Sequence, residues 1–560
     1  YFFDNLSIEF LYFNIAPFFT FFFRIINYNQ NTDRMRIITL LLFLFSTTIL
    51  FSQNCPEGEI NLKSQAAVDN FLQQYPNCTE VQGSLLIGTD WNSSSDINNL
   101  QSLANITKVA GDLTIFIELP NGNIIDLETG EVRKQDIFIS DGRIKKITSN
   151  YIQLNIGANE TIDATGKYVL PGFWDNHAHF RGRDSLISAN KNFLNLFIAN
   201  GITTVRDAGG DLTTSILEWR KQIAEGSLVG PTIFTSGPKI DGVAGTWEGS
   251  LEVENEIDIN NALDILQRIP SDYVKLYDSR ISGEIYLKTI SEAENRNLIT
   301  SGHMPFTVEL DDAVGAGIDA IEHLYYIMKG CSSEETKITQ QLIAKKIGFW
   351  NAMPALMSTY QDSTAQATFA NLKENNVYVV PTLHIGKVLS YLDEVDHSQD
   401  DYLKYISPSL QKTYDGRIQR ALKASKKARQ DRKDLDTFFG QLAKSLNDAG
   451  VGLLAGSDSG AYNSYTYPGI SLHKELEEMV ANGIPPLEVL RSSAYNGSKF
   501  LKKDADYGGI NEGKISDIAI LEANPLEDIS NTKRIFSLVQ GTKVFDKKAL
   551  DSVLQSAIIN

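Results

Sequence analysis

The stretch LPGFWDNHAHFRG, residues 170–182, decides the fold. An apolar run leads into two histidines two positions apart, His177 and His179. In a strand, residues i and i+2 share a face, so both imidazoles would point the same way. Two imidazoles on one face can be metal ligands, and can equally be a structural pair. The choice depends on what lies downstream.

Downstream, short apolar runs alternate with helical ones. KNFLNLFIANGITTVRDAGG (191–210) reads as a helix and then a strand ending at Asp207. GPTIFTSGP (230–238), DYVKLYDS (272–279), LITSGHMP (298–305), AIEHLYY (320–326), VYVVPTL (377–383) and VGLLAGSDSG (451–460) follow. Each looks buried, and each precedes a loop and a helical pattern. With the first stretch they make eight strand–helix units, so the expected class is α/β, a (β/α)8 TIM barrel over residues 169–503. A charged segment, 414–450, reads as one or two surface helices before the last unit.

In such a barrel the chemistry sits at the C-terminal ends of the strands. His177 and His179 end strand 1. Lys275 ends strand 4, His303 strand 5, His323 strand 6 and Asp458 strand 8. The chain has seven histidines, and four of them fall at strand ends that face one mouth. Taken singly, Lys275 would be a snorkelling lysine and Asp458 a helix cap. Together, and in this order, they predict a site for divalent metal, since imidazole and carboxylate are usual N and O donors. Tyr277, two residues beyond Lys275, shares its face and could meet a substrate carboxylate; a packing role fits it equally. Arg206, beside Asp207, is expected in a structural ion pair. The Gly-rich loop 242–250 is placed to form part of a lid. His473 lies on a helix and is expected to be structural.

The flanks read as β-rich. Residues 122–150 contain a hairpin signal at Asp141-Gly142, and 508–526 and 534–546 have the same character. Residues 117–168 and 504–548 are therefore assigned to a small β-sandwich built from both ends of the domain. Residues 53–116 carry a weak repeat: VQGSLLIG (81–88) returns as VAGDLTIF (109–116), with Gly83 and Gly111 28 positions apart (111 − 83). Ahead of it, Met35, Arg36 and the apolar run IITLLLFLFSTTIL make a secretory signal peptide over residues 35–52. Residues 1–34 read as a leader without function. Cys55 and Cys78 would lie in an exported segment, where a disulfide is permitted, and Cys331 stands alone. The expected location is periplasmic or secreted. The net charge of −18 and pI near 5.0 argue against a nucleic-acid partner, and no stable membrane anchor is expected.

At this point LPGFWDNHAHF, GITTVRDAGG, IEH, AGSD and GGINEGKISDIAILEANPLEDI together resemble the amidohydrolase superfamily over roughly residues 117–548. SDYVKLY, GHMP and IEH resemble its bacterial binuclear prolidase and Xaa-Arg/Xaa-Lys dipeptidase branch, a neighbour of imidazolonepropionase. One departure is SDIAIL, where Ala-Asp usually stands, in the outer β region. Residues 55–116 resemble leucine-rich, receptor-L-like repeats. The first resemblance implies that His177 and His179 bind one metal ion and His303 and His323 a second. Lys275 would bridge them as a carbamate formed with CO₂. Asp458 would touch the first metal and shuttle protons, the nucleophile being a metal-bridged hydroxide. Zinc is the expected ion, with manganese, cobalt and iron open to the same donors.

The expected activity is hydrolysis of an amide bond in a dipeptide or N-acyl amino acid. A cyclic-amide hydrolase of the imidazolonepropionase kind is the alternative within enzymes. A surface binding protein with a degenerate barrel is the alternative from another class. A homo-oligomer is compatible with all three.

Overall fold

The computed structural model describes residues 55–87, 101–109, 113–114, 116–149 and 160–559. The signal peptide and leader expected within residues 1–52 lie outside the described residues. Among the described residues, no helix is long and apolar enough to cross a membrane.

The N-terminal unit is small. Its helix Gln65–Gln74 buries Val68 and Phe71, and Cys55 is disulfide-bonded to Cys78. Glu80–Val81 pairs in parallel with Lys108–Val109, in the register Glu80 to Lys108. That offset is 28 residues (108 − 80), so the first residues of the two copies, Val81 and Val109, lie side by side. Gly111 of the second copy falls outside the described residues.

The second unit opens with a curled sheet drawn from both ends of the domain. Phe116–Ile125, Val132–Ser140 and Arg143–Thr148 form an antiparallel meander. Tyr168–Pro171 joins Phe116–Ile125 to the late strand Ile518–Leu521, which continues through Ile535–Gln540 to Lys543–Asp546. The far edge bends back, with Ile144 N–H donating to Lys514 O at 2.9 Å. The expected two layers are thus one sheet bent around a core that includes Leu119, Ile137, Val169, Ile520 and Val539.

Gly172 marks where this sheet hands over to the barrel. The apolar run KYVLPGFWDNHAH, residues 167–179, expected as one strand, is two strands, because the chain turns at Gly172 from one sheet into the other. A side chain there would collide with Thr203, whose Oγ1 would stand 2.3 Å from a Cβ. The barrel strands are β1 (Phe173–Ala178), β2 (Ile202–Asp207), β3 (Thr232–Thr235), β4 (Val274–Leu276), β5 (Thr300–Gly302), β6 (Ala320–Glu322) and β7 (Tyr378–Val380). Adjacent strands within β1–β3 and within β4–β7 pair in parallel. Nearly every residue in them is buried, as a sheet covered on both faces requires.

Two less regular junctions complete the ring. Asp272 N–H donates to Thr235 O at 2.8 Å, linking β3 to the start of β4. The eighth position, β8, is extended chain at 452–459. Leu454 N–H donates to Val379 O, Asn176 N–H to Ala455 O and His179 N–H to Ser459 O, each at 2.9 Å. These bonds join β7, β8 and β1. Helices such as Ile187–Ala199, Thr213–Ala224, Glu256–Arg268 and Gly283–Asn295 follow β1 to β4 in turn. Asn255 and Ser282 cap the last two, each side chain accepting from backbone N–H groups of the first turn. The charged segment before β8 is two helices, Asp415–Lys423 and Lys426–Ala449, the second ending at Gly450 in the left-handed conformation.

β8 is irregular because it runs close against β1. A Cβ on Gly456 would lie 2.5 Å from His177 Cβ and 2.8 Å from its backbone N. Gly456→Ala is therefore expected to cost about 1–3 kcal/mol through forced displacement of packed chain. A lower denaturant midpoint, together with weaker metal retention at His177, would be the measured result.

Candidate metal centre

The C-terminal ends of the strands bring the sequence-selected residues together. His177 and His179 leave β1 with their Nε2 atoms 3.2 Å apart. Asp458 Oδ1 stands 3.5 Å from His177 Nε2 and 3.1 Å from His179 Nε2. His323 follows β6, and its ring centroid is 5.2 Å from that of His177 and 4.8 Å from that of His303. One donor atom each from His177, His323 and Asp458 lie within 4.8 Å of one another.

Neighbours orient each ring. Gly209 O faces His179 Nδ1 at 3.1 Å, which leaves Nε2 turned to the centre. Asp278 Oδ1 faces His303 Nδ1 at 3.1 Å, and Tyr326 OH donates to Asp278 Oδ2 at 2.9 Å. Thr382 Oγ1 meets His323 Nδ1 at 2.7 Å. Asn463 Nδ2 donates to Asp458 Oδ1 at 2.8 Å. Such partners fix ring orientation and raise ligand basicity.

The donor set fits divalent cations. Burial, above all, holds His177, His179 and His303 well below their ordinary pKa and lowers His323 to about 3, so the four imidazoles are neutral. Burial pushes Asp458 upward, but the positive charges of Arg181 and Arg417 act against it, and the net direction is downward, which keeps the carboxylate ionised. Neutral imidazole nitrogens and a carboxylate oxygen pointing at one another a little over 3 Å apart lack a shared positive partner. His177 Nδ1 is buried without a hydrogen bond. A divalent metal ion among these donors would supply that partner.

Lys275 lies deeper, fully buried, with Nζ against Glu322 Oε2. Glu322 also receives Ser301 Oγ at 2.8 Å and Arg206 Nη2 at 3.3 Å through Oε1. Burial, and then the positive charges of Lys239 and Arg206, hold the Lys275 amine far below its ordinary pKa. Arg206 does form a structural ion pair, but with Glu322; Asp207 is instead taken by Thr235 Oγ1 at 2.6 Å. Successive strand residues face opposite ways, so neighbours in sequence are poor candidates for pairing. Beneath, Arg206 stacks on Tyr273 and Phe500, in a floor that also contains Trp174 and Phe234.

A cleft opens above the centre, lined by Arg181, Tyr277, Tyr325, Ile385 and Phe439 among others. The Tyr277 ring lies 4.4 Å from that of His303, so this residue does reach the cleft. The Gly-rich loop contributes Trp247 to the same wall. His473 stays apart: its Nε2 faces Asn200 O at 2.8 Å and its Nδ1 faces Thr532 Oγ1 at 3.0 Å. Cys331 is buried and free.

His473 carries a pH prediction. Burial lowers its pKa to about 4, whereas the unfolded residue titrates near 6.5. Below about pH 6.5 the unfolded chain binds a proton that the folded ring refuses, so stability falls as the pH drops from there towards 4. The expected slope is about 1.4 kcal/mol per pH unit from this residue. Denaturant midpoints of His473→Gln should show a shallower loss than wild type between pH 7 and 5.

Sequence reading missed Glu322, Asp278, Thr382 and Arg181. Glu322 directly precedes His323, Asp278 is three residues past Lys275, and Arg181 extends the alternation of His177 and His179 by one step.

Comparisons with known proteins agree with this architecture. Residues 168–543 match the amidohydrolase family. Ochratoxinase of Aspergillus niger is 22% identical over 438 residues, covering 67% of this chain and 75% of that protein. A dihydroorotase of Carboxydothermus hydrogenoformans is 32% identical over 114 residues, which span 19% of this chain and only 25% of its own length. Among solved structures, a Xaa-Pro dipeptidase with methionine in its active site superposes with a TM-score of 0.57 at 19% identity, over 77% of this chain and 100% of that one. The barrel and the curled sheet that frame the strand-end histidines fall within this match, which spans more than half of the chain, and the chain belongs to the amidohydrolase family.

Proposed function

We propose that the protein hydrolyses amide bonds in dipeptides or N-acyl amino acids, using two divalent metal ions. His177, His179, His303, His323 and Asp458 would hold them, bridged by Lys275 as its carbamate. The observation that supports this most is the convergence of four neutral histidines, a buried amine and an ionised carboxylate at the ends of β1, β4, β5, β6 and β8.

The ions, when bound, would polarise the scissile carbonyl and make water acidic enough to attack near neutral pH. The protein's own part is positioning and proton transfer. Asp458 lies on the His177/His179 side, anchored by Asn463, where it can take a proton from water and pass it to the leaving amine. Asp278, with Tyr326, and Thr382 hold His303 and His323 in one orientation. Lys275 can combine with CO₂ because burial keeps it an amine: nitrogen donates its lone pair to carbon and releases one proton. Tyr277, which lines the cleft, would meet the substrate. Leu324, Tyr325, Ile385, Leu389 and Phe439 offer an apolar wall for an acyl group or side chain.

Export by the signal peptide at residues 35–52 belongs to the same proposal, as does zinc as the resident metal. The Cys55–Cys78 disulfide supports an oxidising compartment. The test is a library of dipeptides and N-acyl amino acids incubated with protein supplied with zinc and bicarbonate. Released amino acid from at least one member is the expected result. Turnover of none, by protein that retains its metal, would overturn the reading.

A further inference from the structure

A second cavity, of about 220 Å³, adjoins the cleft and shares Arg181 and Trp247 with it. Lys239 and Arg181 both line it, and both are buried, at 2% and 4% exposure. Lys239 Nζ has no hydrogen-bond partner. Arg181 is tethered through Nε, which donates to Ala461 O at 2.9 Å. Among the described residues, neither side chain forms an ion pair. Both lie over the Trp247 ring, Lys239 Nζ at 4.6 Å and Arg181 Cζ at 4.1 Å from its centroid.

The carboxylates around the cavity are already engaged, Glu248 in its lining by Arg183. Asp207 accepts from Thr235 Oγ1 and Phe180 N–H. Asp211 accepts from the N–H groups of Gly182 and Arg183 at 2.9 and 2.7 Å. Asp458 faces the histidines. Two buried basic groups lining one cavity without a counter-ion are costly to charge, and an anion bound there would relieve the cost and hold Lys239 in its protonated form. Burial, and then the Arg181 charge, lowers the affinity of the Lys239 amine for a proton. The chain makes room for the arrangement with two glycines. At Gly209 a Cβ would stand 2.8 Å from Lys239 Cγ, and at Gly210 3.0 Å from Arg181 Cβ.

We infer that Lys239 and Arg181 form the receptor for the carboxylate of the amine-side residue of the substrate. This assignment rests on the amide-hydrolase reading above. Its location supports it: Arg181 lines both this cavity and the cleft that holds Asp458, the group proposed to protonate the leaving nitrogen. In an α-amino acid the carboxylate is one carbon from that nitrogen, so the two recognition elements must be neighbours. Trp247 and Tyr462 wall the cavity and would accept the small body of the residue. The receptor thereby selects substrates with a free α-carboxylate and excludes internal peptide bonds.

The test uses zinc-loaded full-length protein and thermal unfolding, so that it does not require turnover. The probes are L-alanine, L-phenylalanine and L-lysine, each against its carboxamide. At least one free amino acid should raise the Tm, and its amide should not. Lys239→Met should weaken that binding by about 30-fold, the value of a buried hydrogen bond to a charged group, with metal content unchanged. Equal stabilisation by acid and amide, no response to any acid, or an unaltered response in Lys239→Met would overturn the assignment. In hydrolysis assays the acid-to-carboxamide ratio in kcat/KM should fall in Lys239→Met, mainly through KM. Carboxylate-dependent binding without turnover of any library member would leave the receptor standing and overturn the hydrolase reading instead.

Discussion

Lys275→Ala is expected to lose at least about 10³-fold in kcat/KM and to hold fewer metal ions than wild type, because the two ions would lose the anion that bridges them. Two dications a few ångströms apart repel, and an ammonium cannot hold them together. A carbamate is anionic and offers one oxygen to each. Elemental analysis of protein purified with zinc and bicarbonate should give two ions per wild-type chain. Lys275 also touches Glu322, which raises a competing role as a buried ion pair. That role makes a different prediction: Lys275→Ala would lower stability by removing one of the two basic partners of Glu322, the other being Arg206, yet would retain its metals. Full metal content in the variant, or one tight ion indifferent to it, would sink the binuclear reading. Dependence of wild-type reactivation on bicarbonate separates the two roles further, since an ion pair needs no CO₂.

Asp458→Asn should lower kcat by about 10²–10⁴-fold, the usual contribution of a positioned acid–base group. The amide keeps the shape and can still accept from Asn463, so folding should survive. What it loses is the negative charge beside His177 and His179 and the ability to accept a proton. The pH profile carries the sharper readout. In wild type the acidic limb of kcat/KM should reflect ionisation of the Asp458 carboxylate, held low by the charges of Arg181 and Arg417. In the variant that limb should vanish along with most of the rate. A fall in rate with the limb unchanged would assign the proton transfer to another group.

Much of this was legible in one dimension, for reasons specific to the elements concerned. Parallel barrel strands are buried on both faces, so each prints a short apolar run, and the loops between them are long enough to separate the runs clearly. Strand ends converge on one mouth by topology, so a polar residue closing such a run already has an address. That is why His177, His179, Lys275, His303, His323 and Asp458 could be chosen without coordinates. The 28-residue repeat was equally readable, and the pairing of Glu80 with Lys108 has that same offset.

Other features were not legible, because they depend on residues that come together only when the barrel closes. Nothing local links Arg206 to Glu322, 116 positions apart, or Asp278 to Tyr326. The outer sheet could be assigned to both chain ends by its β character, but its bending into one layer depends on which edges meet. Lys239 and Arg181 are 58 positions apart (239 − 181), and neither carries a motif. Periodicity and strand-end chemistry determined the barrel and its candidate ligands, since both are written in residue type and spacing. Only the tertiary structure decided which charges are paired, which are buried without a partner, and which side of the centre carries them. Burial and distance, not composition, set the energy of a charge.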